Sequence, residues 1–476
     1  MKTVSIGGRT DSAYLSITRS IIDVLPGKGL DLDSFFLANR TIKSSRTSGL
    51  LVSASFGANS ILYAAWLGYI MGFWALIIHA AWCLSFVLLS RYAQKIYQHT
   101  SLHDFLGCRF GCATRRVASL CSIIGLLYFA GWEIAIAKSG VQSLLESAGM
   151  NLGFALPLVV AVTILFALLY TTIGGIKANG HIDFILNIVK ILLLAIVVYA
   201  LSKSVLSSSN LETSVFLPSM STAIGGIGII GFFTNMIFSI SWQFVDNTSW
   251  QTISSGSKEE ANVAKKTLNI ASKEVFAAYI LGTLLGVLLR VIPNLNSDNI
   301  LGGIASSGMA NISVVLCVII LLLLSMVSLI DGVGLSVAQT FLVDLRFGEK
   351  FKKINGYTLA RVVTIVFGVI AAWGIQLLLG AIGKSVFDFV YIFIVAQLSL
   401  LGVVAVGLMS KNAMSKNMWI SILVGALSGI TTSICGGIYQ LPALTEAAGA
   451  ISAVSSVLVA LILSRHLSNR VTKEQL

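Results

Sequence analysis

Long apolar runs recur along the whole chain and are separated by short polar stretches. Each run reaches the length of about 20 residues that a helix needs to cross the ~30 Å hydrocarbon core of a bilayer. The pattern therefore predicts twelve transmembrane spans, numbered here in chain order. They cover residues 47–73, 75–97, 116–144, 154–173, 182–204, 222–245, 272–294, 311–343, 357–379, 385–409, 417–436 and 444–464.

Spans one and six are unusually rich in small and polar residues. Such residues favour a loosened backbone that offers carbonyl groups to a ligand inside the protein. They are also typical of a tightly packed helix interface. Their matching places in the two halves of the chain favour a binding site between two broken helices. They are Ser53, Ser55, Gly57, Asn59 and Ser60 in span one, and Gly225, Gly226, Gly228, Gly231, Thr234, Asn235, Ser239, Ser241 and Gln243 in span six.

Composition and charge indicate an all-α polytopic membrane protein. Of the 476 residues, 56% are hydrophobic and 11% are charged, and the mean hydropathy is +0.89. The net charge of +12 arises from Lys and Arg in alternate loops, so it does not require nucleic acid. The positive-inside rule predicts an integral cell membrane protein (inner or plasma membrane) with both termini cytoplasmic. The five basic residues outside this pattern are Lys138, Lys190, Lys203, Arg290 and Lys384.

No pattern of cysteines or nucleophiles points to an enzyme or to a bound organic cofactor. The six cysteines lie in spans, at span ends or in a cytoplasmic loop, so they do not indicate a disulfide framework. Cys108 and Cys112 lack partners at the spacing of a metal site. Residues 1–30 contain no apolar run long enough for a signal peptide. We expect a monomer whose partners are a small organic solute and the lipid bilayer, with no nucleic acid.

Four stretches carry motifs of one family of membrane transporters. They are DSFFLANR at 33–40, YTTIGGIKANGHID at 170–183, Gln251 followed by SKEEANVAK at 257–265, and SMVS at 325–328 followed by Asp344 and Leu345. Over roughly residues 33–410 these motifs resemble those of the sodium/solute symporter family. The gapless spacing inside span eight is the most specific part of the likeness, and the chain would be a divergent member.

The resemblance implies a LeuT-type inverted-repeat fold, in which spans one and six are broken around the substrate. The expected division is a cytoplasmic segment at 1–40, a first five-helix repeat at 41–204, a second at 205–410, and two further helices with a tail at 411–476. Two features depart from the family. Nothing apolar enough for its extra leading helix precedes residue 33, and residues 397–402 lack its Gly-Pro pair in span ten.

The resemblance also implies a sodium site between spans one and eight. Matched residue by residue, its ligands fall at the carbonyls of Ser53 and Phe56 on span one, and at the Ser325 carbonyl and the Ser328 hydroxyl on span eight. Leu329 replaces a second hydroxyl, which weakens the site, whereas backbone carbonyl ligands survive any substitution. We therefore expect Na⁺ as the coupling ion, with H⁺ as the alternative.

Two aspartates form a second candidate cation site. Asp331 follows Ser328 by three residues and shares its helical face, and Asp183 matches a carboxylate of the family's second sodium site. An ionised carboxylate at the centre of a membrane helix costs ~2.5–3.5 kcal/mol on insertion scales. Two of them within reach would hold a cation or share a proton. Alternatively, Asp183 caps its helix and Asp331 pairs with a lysine.

Candidate substrate-binding residues lie on spans one, two, three and six. Trp242 matches an inner aromatic gate of sugar-carrying relatives, or it lies at the cytoplasmic interface. His79 is a proton carrier or a hydrogen-bonded core histidine, and Lys138 meets a substrate carboxylate or snorkels outward. Ser60 and Leu281 replace sugar-coordinating residues, which disfavours a sugar. The full set is Ser55, Asn59, Ser60, His79, Lys138, Ser239 and Trp242.

These patterns together predict a secondary active transporter that works by alternating access. It would be a symporter that imports a small organic solute, an organic acid or an amino-acid-like compound, with Na⁺ or H⁺. The alternative is a solute-binding membrane sensor or a transport-inactive relative. Leu329 and the missing leading helix favour that alternative, whereas the lack of an output domain after Ser464 disfavours it.

Overall fold

The described part of the chain is built from helices. The computed structural model describes residues 31–150, 153, 155–206, 213–292, 295, 299–306, 310–351, 353–381, 383–385, 387, 389, 391–410 and 416–474. Within these ranges the one pairing of extended chain is an isolated parallel bridge between Ile42 and Gly256. The predicted all-helical class is confirmed.

The helices have the following bounds. They are α1 Leu32–Leu37, α2 Ser44–Ser55, α3 Ala58–Met71, α4 Ala75–Ser90, α5 Ala93–Tyr97, α6 Leu102–Phe110, α7 Cys112–Ser147, α8 Ala155–Leu206, α9 Thr213–Phe216, α10 Met220–Ile227, α11 Ile229–Val245, α12 Asn247–Ser254, α13 Val263–Leu289, α14 Ile300–Ser306, α15 Ile312–Gln339, α16 Gly356–Val369, α17 Ile375–Ala381, α18 Tyr391–Leu398, α19 Leu401–Met409, α20 Trp419–Ile438 and α21 Pro442–Glu474. Short 3-10 or π turns cover Ala38–Arg40, Gly72–Trp74, Thr340–Asp344, Phe347–Phe351 and Ile370–Gly374.

Every one of the twelve predicted spans corresponds to described helix. Eight continuous helical stretches are long and apolar enough to cross a membrane, and the bent pair α10–α11 makes a ninth. One stretch, Ala58–Ser90, contains the second half of span one and most of span two. Another, α8, contains spans four and five, and span ten is the shorter pair α18–α19.

Two glycines turn these long stretches back on themselves. Gly72 has φ +64° and ψ −147°, and Gly175 has φ +58° and ψ −150°. Beyond Gly175 the chain reverses direction. The evidence is a 2.9 Å hydrogen bond that the Thr171 hydroxyl donates to the side chain of Asn179. Eight residues along a straight helix rise by ~12 Å, so this contact requires two antiparallel segments.

Spans one and six are both interrupted, as predicted. Span one breaks between α2 and α3, where Phe56 has φ −124° and ψ 61°. Span six breaks at Gly228, where φ is +73° and the axes of α10 and α11 differ by 82°. Span ten also breaks, between Leu398 and Leu401, although it has no Gly-Pro pair.

The helix α15 lies at the centre of the molecule. It packs against α7, α8 and α2, while α13 packs against α2, α3 and α4. The outer faces carry large apolar side chains, such as Leu165, Leu169 and Ile185 on α8, which are more than half exposed. Such faces are expected where helices meet lipid, which supports an integral membrane protein. The helices α20 and α21 pack on each other beside α18 and α19.

Candidate functional site

The break in span one exposes the first backbone N–H groups of α3. An interrupted helix leaves such donors without intrahelical partners. Here the buried carboxylate of Glu133, on α7, accepts hydrogen bonds from the N–H groups of Ala58 and Asn59, the latter at 3.1 Å. The negative charge also matches the partial positive charge of a helix N-terminus. Glu133 was not among the predicted site residues.

On the other side of the break, a buried lysine reaches the end of α2. The Nζ atom of Lys190 donates hydrogen bonds to the Phe56 carbonyl at 3.2 Å and to the Ser328 hydroxyl at 2.8 Å. Lys190 is fully buried and lies on the second half of α8. Its ammonium therefore joins spans one, five and eight. Sequence reasoning missed this role, although a lysine within a membrane span is itself a signal of function.

The structure brings two of the four predicted sodium ligands into contact with this ammonium. Phe56 and Ser328 contact it directly. The predicted ligand at Ser53 is its carbonyl, and its hydroxyl donates to the Asn187 side chain at 3.0 Å. The Ser325 hydroxyl is buried without a hydrogen-bond partner among the described residues, and its carbonyl accepts a 3.5 Å hydrogen bond from Ser328.

A sodium ion fits between Phe56 and Ser328 only if Lys190 gives up its charge or its position. Two like unit charges 4 Å apart repel by about 4 kcal/mol at an effective dielectric constant of ~20. The ammonium already donates hydrogen bonds to two of the oxygen atoms that a sodium ion would use. Protonated Lys190 and sodium therefore compete for one position.

The two aspartates lie together in the same region. Asp183 and Asp331 are fully buried and close enough to interact electrostatically with each other and with Lys190. Asp331 accepts a 2.6 Å hydrogen bond from the Tyr170 hydroxyl. Asp183 lies inside α8, eight residues beyond the turn at Gly175, so it does not cap a helix end. Their role as a shared ion or proton site stays a prediction.

A cavity of about 320 Å³ lies beside the break, between spans one, two, three, six, seven, ten and twelve. Ten of its lining residues are Phe, Tyr or Trp. Its wall includes five predicted substrate-binding residues, namely Asn59, Ser60, His79, Ser239 and Trp242. The ring of Trp242 stacks on Trp82 at 6.2 Å, and Trp242 is only 3% exposed.

The structure places the other two candidates elsewhere. Ser55 lies behind the cavity wall, where its carbonyl accepts a 3.2 Å hydrogen bond from Tyr279 and its hydroxyl a 3.5 Å one from Gln243. Lys138 lines two separate pockets, one with Glu146 and one with Lys384. The only strongly basic residue among the seven candidates is therefore away from the central cavity.

Two polar atoms in the cavity wall have no hydrogen-bond partner among the described residues. They are Nε2 of His79 and Nε1 of Trp82. The His79 ring stacks flat on Tyr279, with centroids 4.4 Å apart. Buried polar atoms are normally paired, so a pair left open beside a cavity is typical of a ligand site.

A carboxylate also reaches the cavity, from a helix outside the predicted repeats. Glu446 lies near the start of α21 and is half-buried. A Cβ built on Gly231 of α11 would lie 3.2 Å from its Oε2 atom, so the glycine leaves room for this carboxylate. Glu446 was not among the predicted site residues, because span twelve was not expected to contribute.

Cys108 lies apart from this cavity, beside His99 and Asp104. One potential ligand atom from each lies within 4.8 Å of the others. Asp104 also accepts hydrogen bonds at 3.3 Å from the imidazole of His99 and from the Thr100 N–H. The hydrogen bond from His99, with those from its neighbours, lowers the pKa of Asp104. These contacts account for the grouping without a metal ion.

Comparison with known proteins identifies the fold. No family model matches the chain, and no curated protein matches it significantly. A solved Na⁺-coupled sialic acid symporter in a substrate-bound outward-open state is 16% identical, with a TM-score of 0.69 over 96% of this chain and 97% of that one. A nucleobase-cation-symport-1 family transporter with bound bromovinylhydantoin is 14% identical, with a TM-score of 0.59 over 91% and 94%.

A manganese transporter from Eremococcus coleocola is also similar, at 12% identity and a TM-score of 0.51 over 93% of this chain and 97% of that one. At such identities the similarity establishes the fold alone. The predicted symporter-type fold is therefore confirmed, and the match extends over almost the whole length of these proteins.

Proposed function

We propose that the chain is a secondary active transporter that moves a small organic solute across a membrane by alternating access. The main support is the aromatic cavity that lies beside two interrupted spans, in a fold shared with solved cation-coupled symporters. Broken spans around a central site are the arrangement that such transporters use. The predicted repeats, 41–204 and 205–410, are the units that we expect to move against each other.

We assign the coupling role to the position between Phe56 and Ser328. A cation there holds the end of α2 against α15, and Lys190 supplies that cation when it is protonated. A neutral amine forms weaker hydrogen bonds than an ammonium, so loss of the proton loosens this junction. A buried lysine is a group whose protonation responds readily to its surroundings. These contacts favour H⁺ over Na⁺ as the coupling ion.

Uptake into proteoliposomes tests the proposal. The purified full chain is reconstituted, and a panel of labelled solutes is offered under an inward proton gradient, an inward sodium gradient, or neither. We expect accumulation above equilibrium with the proton gradient. Accumulation driven by sodium alone would support transport but contradict the role of Lys190. Binding without any gradient-driven uptake would favour the sensor alternative.

The variant Lys190→Met tests the coupling group directly. We expect gradient-driven accumulation to fall at least tenfold, because the methionine side chain has no group that can bind and release a proton. Exchange of labelled for unlabelled solute in the same vesicles should persist and shows that the variant is folded. Lys203→Met, at an exposed position on the same helix, is the matched control. Wild-type coupling in Lys190→Met would overturn this assignment.

We place the protein in the inner or plasma membrane with both termini in the cytoplasm. The distribution of basic residues supports this orientation, since the loops rich in Lys and Arg share one side. The sensor alternative draws support from Leu329, which stands at the position of a lost hydroxyl ligand. Lys190 weakens this support for a sensor. Its ammonium can occupy the cation position, so the site does not need a complete set of sodium ligands.

A further inference from the structure

We propose that the solute is a small organic cation, with an alkylated ammonium group held in the aromatic cavity near Glu446. This inference rests on the proposed transport function and names its substrate class. It differs from the organic acid or amino-acid-like compound expected from the sequence. Three observations support it: the aromatic lining of the cavity, the negative charge in its wall, and the contacts that the nearby basic residues already make.

The lining of the cavity suits a soft cation. Four of the protein's eight tryptophans line it, namely Trp66, Trp82, Trp132 and Trp242. The faces of aromatic rings attract a cation within about 6 Å of the ring centre, and groups of such rings recognise quaternary ammonium ions. Many aromatic rings around about 320 Å³ form a cage of the right size for a small solute.

The charge of the cavity has the matching sign. Among the described lining residues, Glu446 is the one Asp, Glu, Lys or Arg. Its carboxylate has no ion-pair or hydrogen-bond partner in the described part of the chain, so its charge is directed at whatever enters the cavity. An anionic solute would meet this charge without a compensating lysine or arginine in the described wall.

The groups that would bind a substrate carboxylate are already occupied. The N-terminus of α3 is the natural anion site of the broken span. Glu133 accepts hydrogen bonds from its first two N–H groups. Lys190 contacts Phe56 and Ser328, and Lys138 lies in other pockets. An acid therefore finds no free basic partner among the described lining residues, whereas a cation finds both the rings and the carboxylate.

Paired probes of equal shape test this inference on the purified full chain. Choline is compared with its neutral isostere 3,3-dimethylbutan-1-ol and with the anion 3,3-dimethylbutanoate, and binding is followed by quenching of tryptophan fluorescence. We expect choline to bind at least tenfold more tightly than either partner. Equal binding of the three probes, tighter binding of the anion, or no binding of choline would overturn the inference.

Two variants connect the preference to the named groups. Glu446→Gln should weaken choline binding roughly tenfold and leave the alcohol unchanged, because only the charged probe loses a partner. Glu349→Gln, at an exposed glutamate, is the control and should change neither. Trp66→Leu should weaken choline binding by a similar factor, while Trp66→Phe keeps most of it. Unchanged choline binding in Glu446→Gln would remove the carboxylate from the site.

Flux measurements separate this inference from the proposed function. Uptake of choline into proteoliposomes with the same dependence on Glu446 supports both. Binding of choline without uptake supports the cation site and contradicts transport. Gradient-driven uptake of 3,3-dimethylbutanoate in preference to choline supports transport and overturns the cation site.

Discussion

Two buried side chains of opposite charge complete the interrupted ends of span one. Glu133 accepts from the first N–H groups of α3, and Lys190 donates to the carbonyl of Phe56 at the end of α2. Each charge opposes the partial charge of the helix end that it meets. Without them, backbone groups inside the membrane would lack partners, which costs more there than in water. Single residues therefore make a broken membrane helix possible.

The variant Glu133→Ala tests this role. It leaves two buried N–H donors unpaired, at a cost of roughly 1–3 kcal/mol each. We expect the melting temperature in detergent to fall by several degrees, as measured by fluorescence-detected gel filtration. Acetate or formate should restore part of the loss, since a small carboxylate can take the vacated place at the helix end.

The matched control is Glu146→Ala, because Glu146 lies on the same helix but is exposed. It should change the melting temperature little, with or without added carboxylate. An unchanged melting temperature in Glu133→Ala would mean that the α3 N–H groups find other partners. A loss that chloride restores as well as acetate would point to a non-specific salt effect.

Sequence reasoning found the place of this site but not its charges. The small and polar residues of span one predicted the break, and the family motif brought Phe56 and Ser328 together. Lys190 lies 134 residues from Phe56, and Glu133 lies 75 residues from Ala58. Pairing across such distances depends on how the spans pack, which no local pattern specifies. A lysine within a membrane span indicates function, but the sequence does not show which helix end it contacts.

At the scale of elements, glycines determine where the long apolar helices reverse. The twelve spans could be predicted because apolar runs and basic loops alternate regularly. The turn between spans four and five was also foreseeable, since it falls inside the motif at 170–183. The break in span ten was not, because no proline or glycine pair marks it. There the Ser456 hydroxyl donates a 2.6 Å hydrogen bond to the Ser399 carbonyl, a partner from span twelve.

The variant Gly175→Ala tests the turn. Its φ of +58° with ψ −150° belongs to a region that is essentially restricted to glycine, where other residues cost about 1–3 kcal/mol. A Cβ atom would also clash with the carbonyl oxygen of Phe35. We expect a large loss of folded protein in membranes and a lower melting temperature. Gly437→Ala, in a helix with open space around it, should behave like the wild type.

At the scale of the whole molecule, the N-terminal end of α2 is fastened on the side predicted to be cytoplasmic. The Ser44 N–H and hydroxyl donate to the Glu260 carboxylate at 2.8 and 2.6 Å. Beside them, the Ile42 N–H donates to the Ser255 carbonyl at 3.4 Å, and the Ser257 N–H donates to the Ile42 carbonyl at 2.7 Å. Alternating access to the cavity requires one side to close while the other opens. We interpret this group of contacts as a latch that holds that side closed.

The variant Glu260→Ala should loosen the latch, because α2 loses the carboxylate at its N-terminus. The hydrogen bonds from Ser44 hold the pKa of Glu260 below its usual value of about 4.3. Because the pKa is lowered in the latched state, this contribution is complete above pH ~4.3 and is lost only as the pH falls through the lowered pKa. Neutral pH changes therefore leave the latch intact, and any pH dependence of transport near neutrality must come from another group.

The latch is measured with a reporter cysteine, Ser48→Cys, on α2 in a chain whose six native cysteines are replaced. Ser48 is fully buried while α2 is fastened, so a polar maleimide reaches it only when α2 moves. We expect Glu260→Ala to raise the labelling rate roughly threefold to tenfold, as for loss of a helix cap. Glu259→Ala, at the exposed neighbouring glutamate, should leave the rate unchanged. Equal labelling in both variants would mean that Glu260 does not control this side of the transporter.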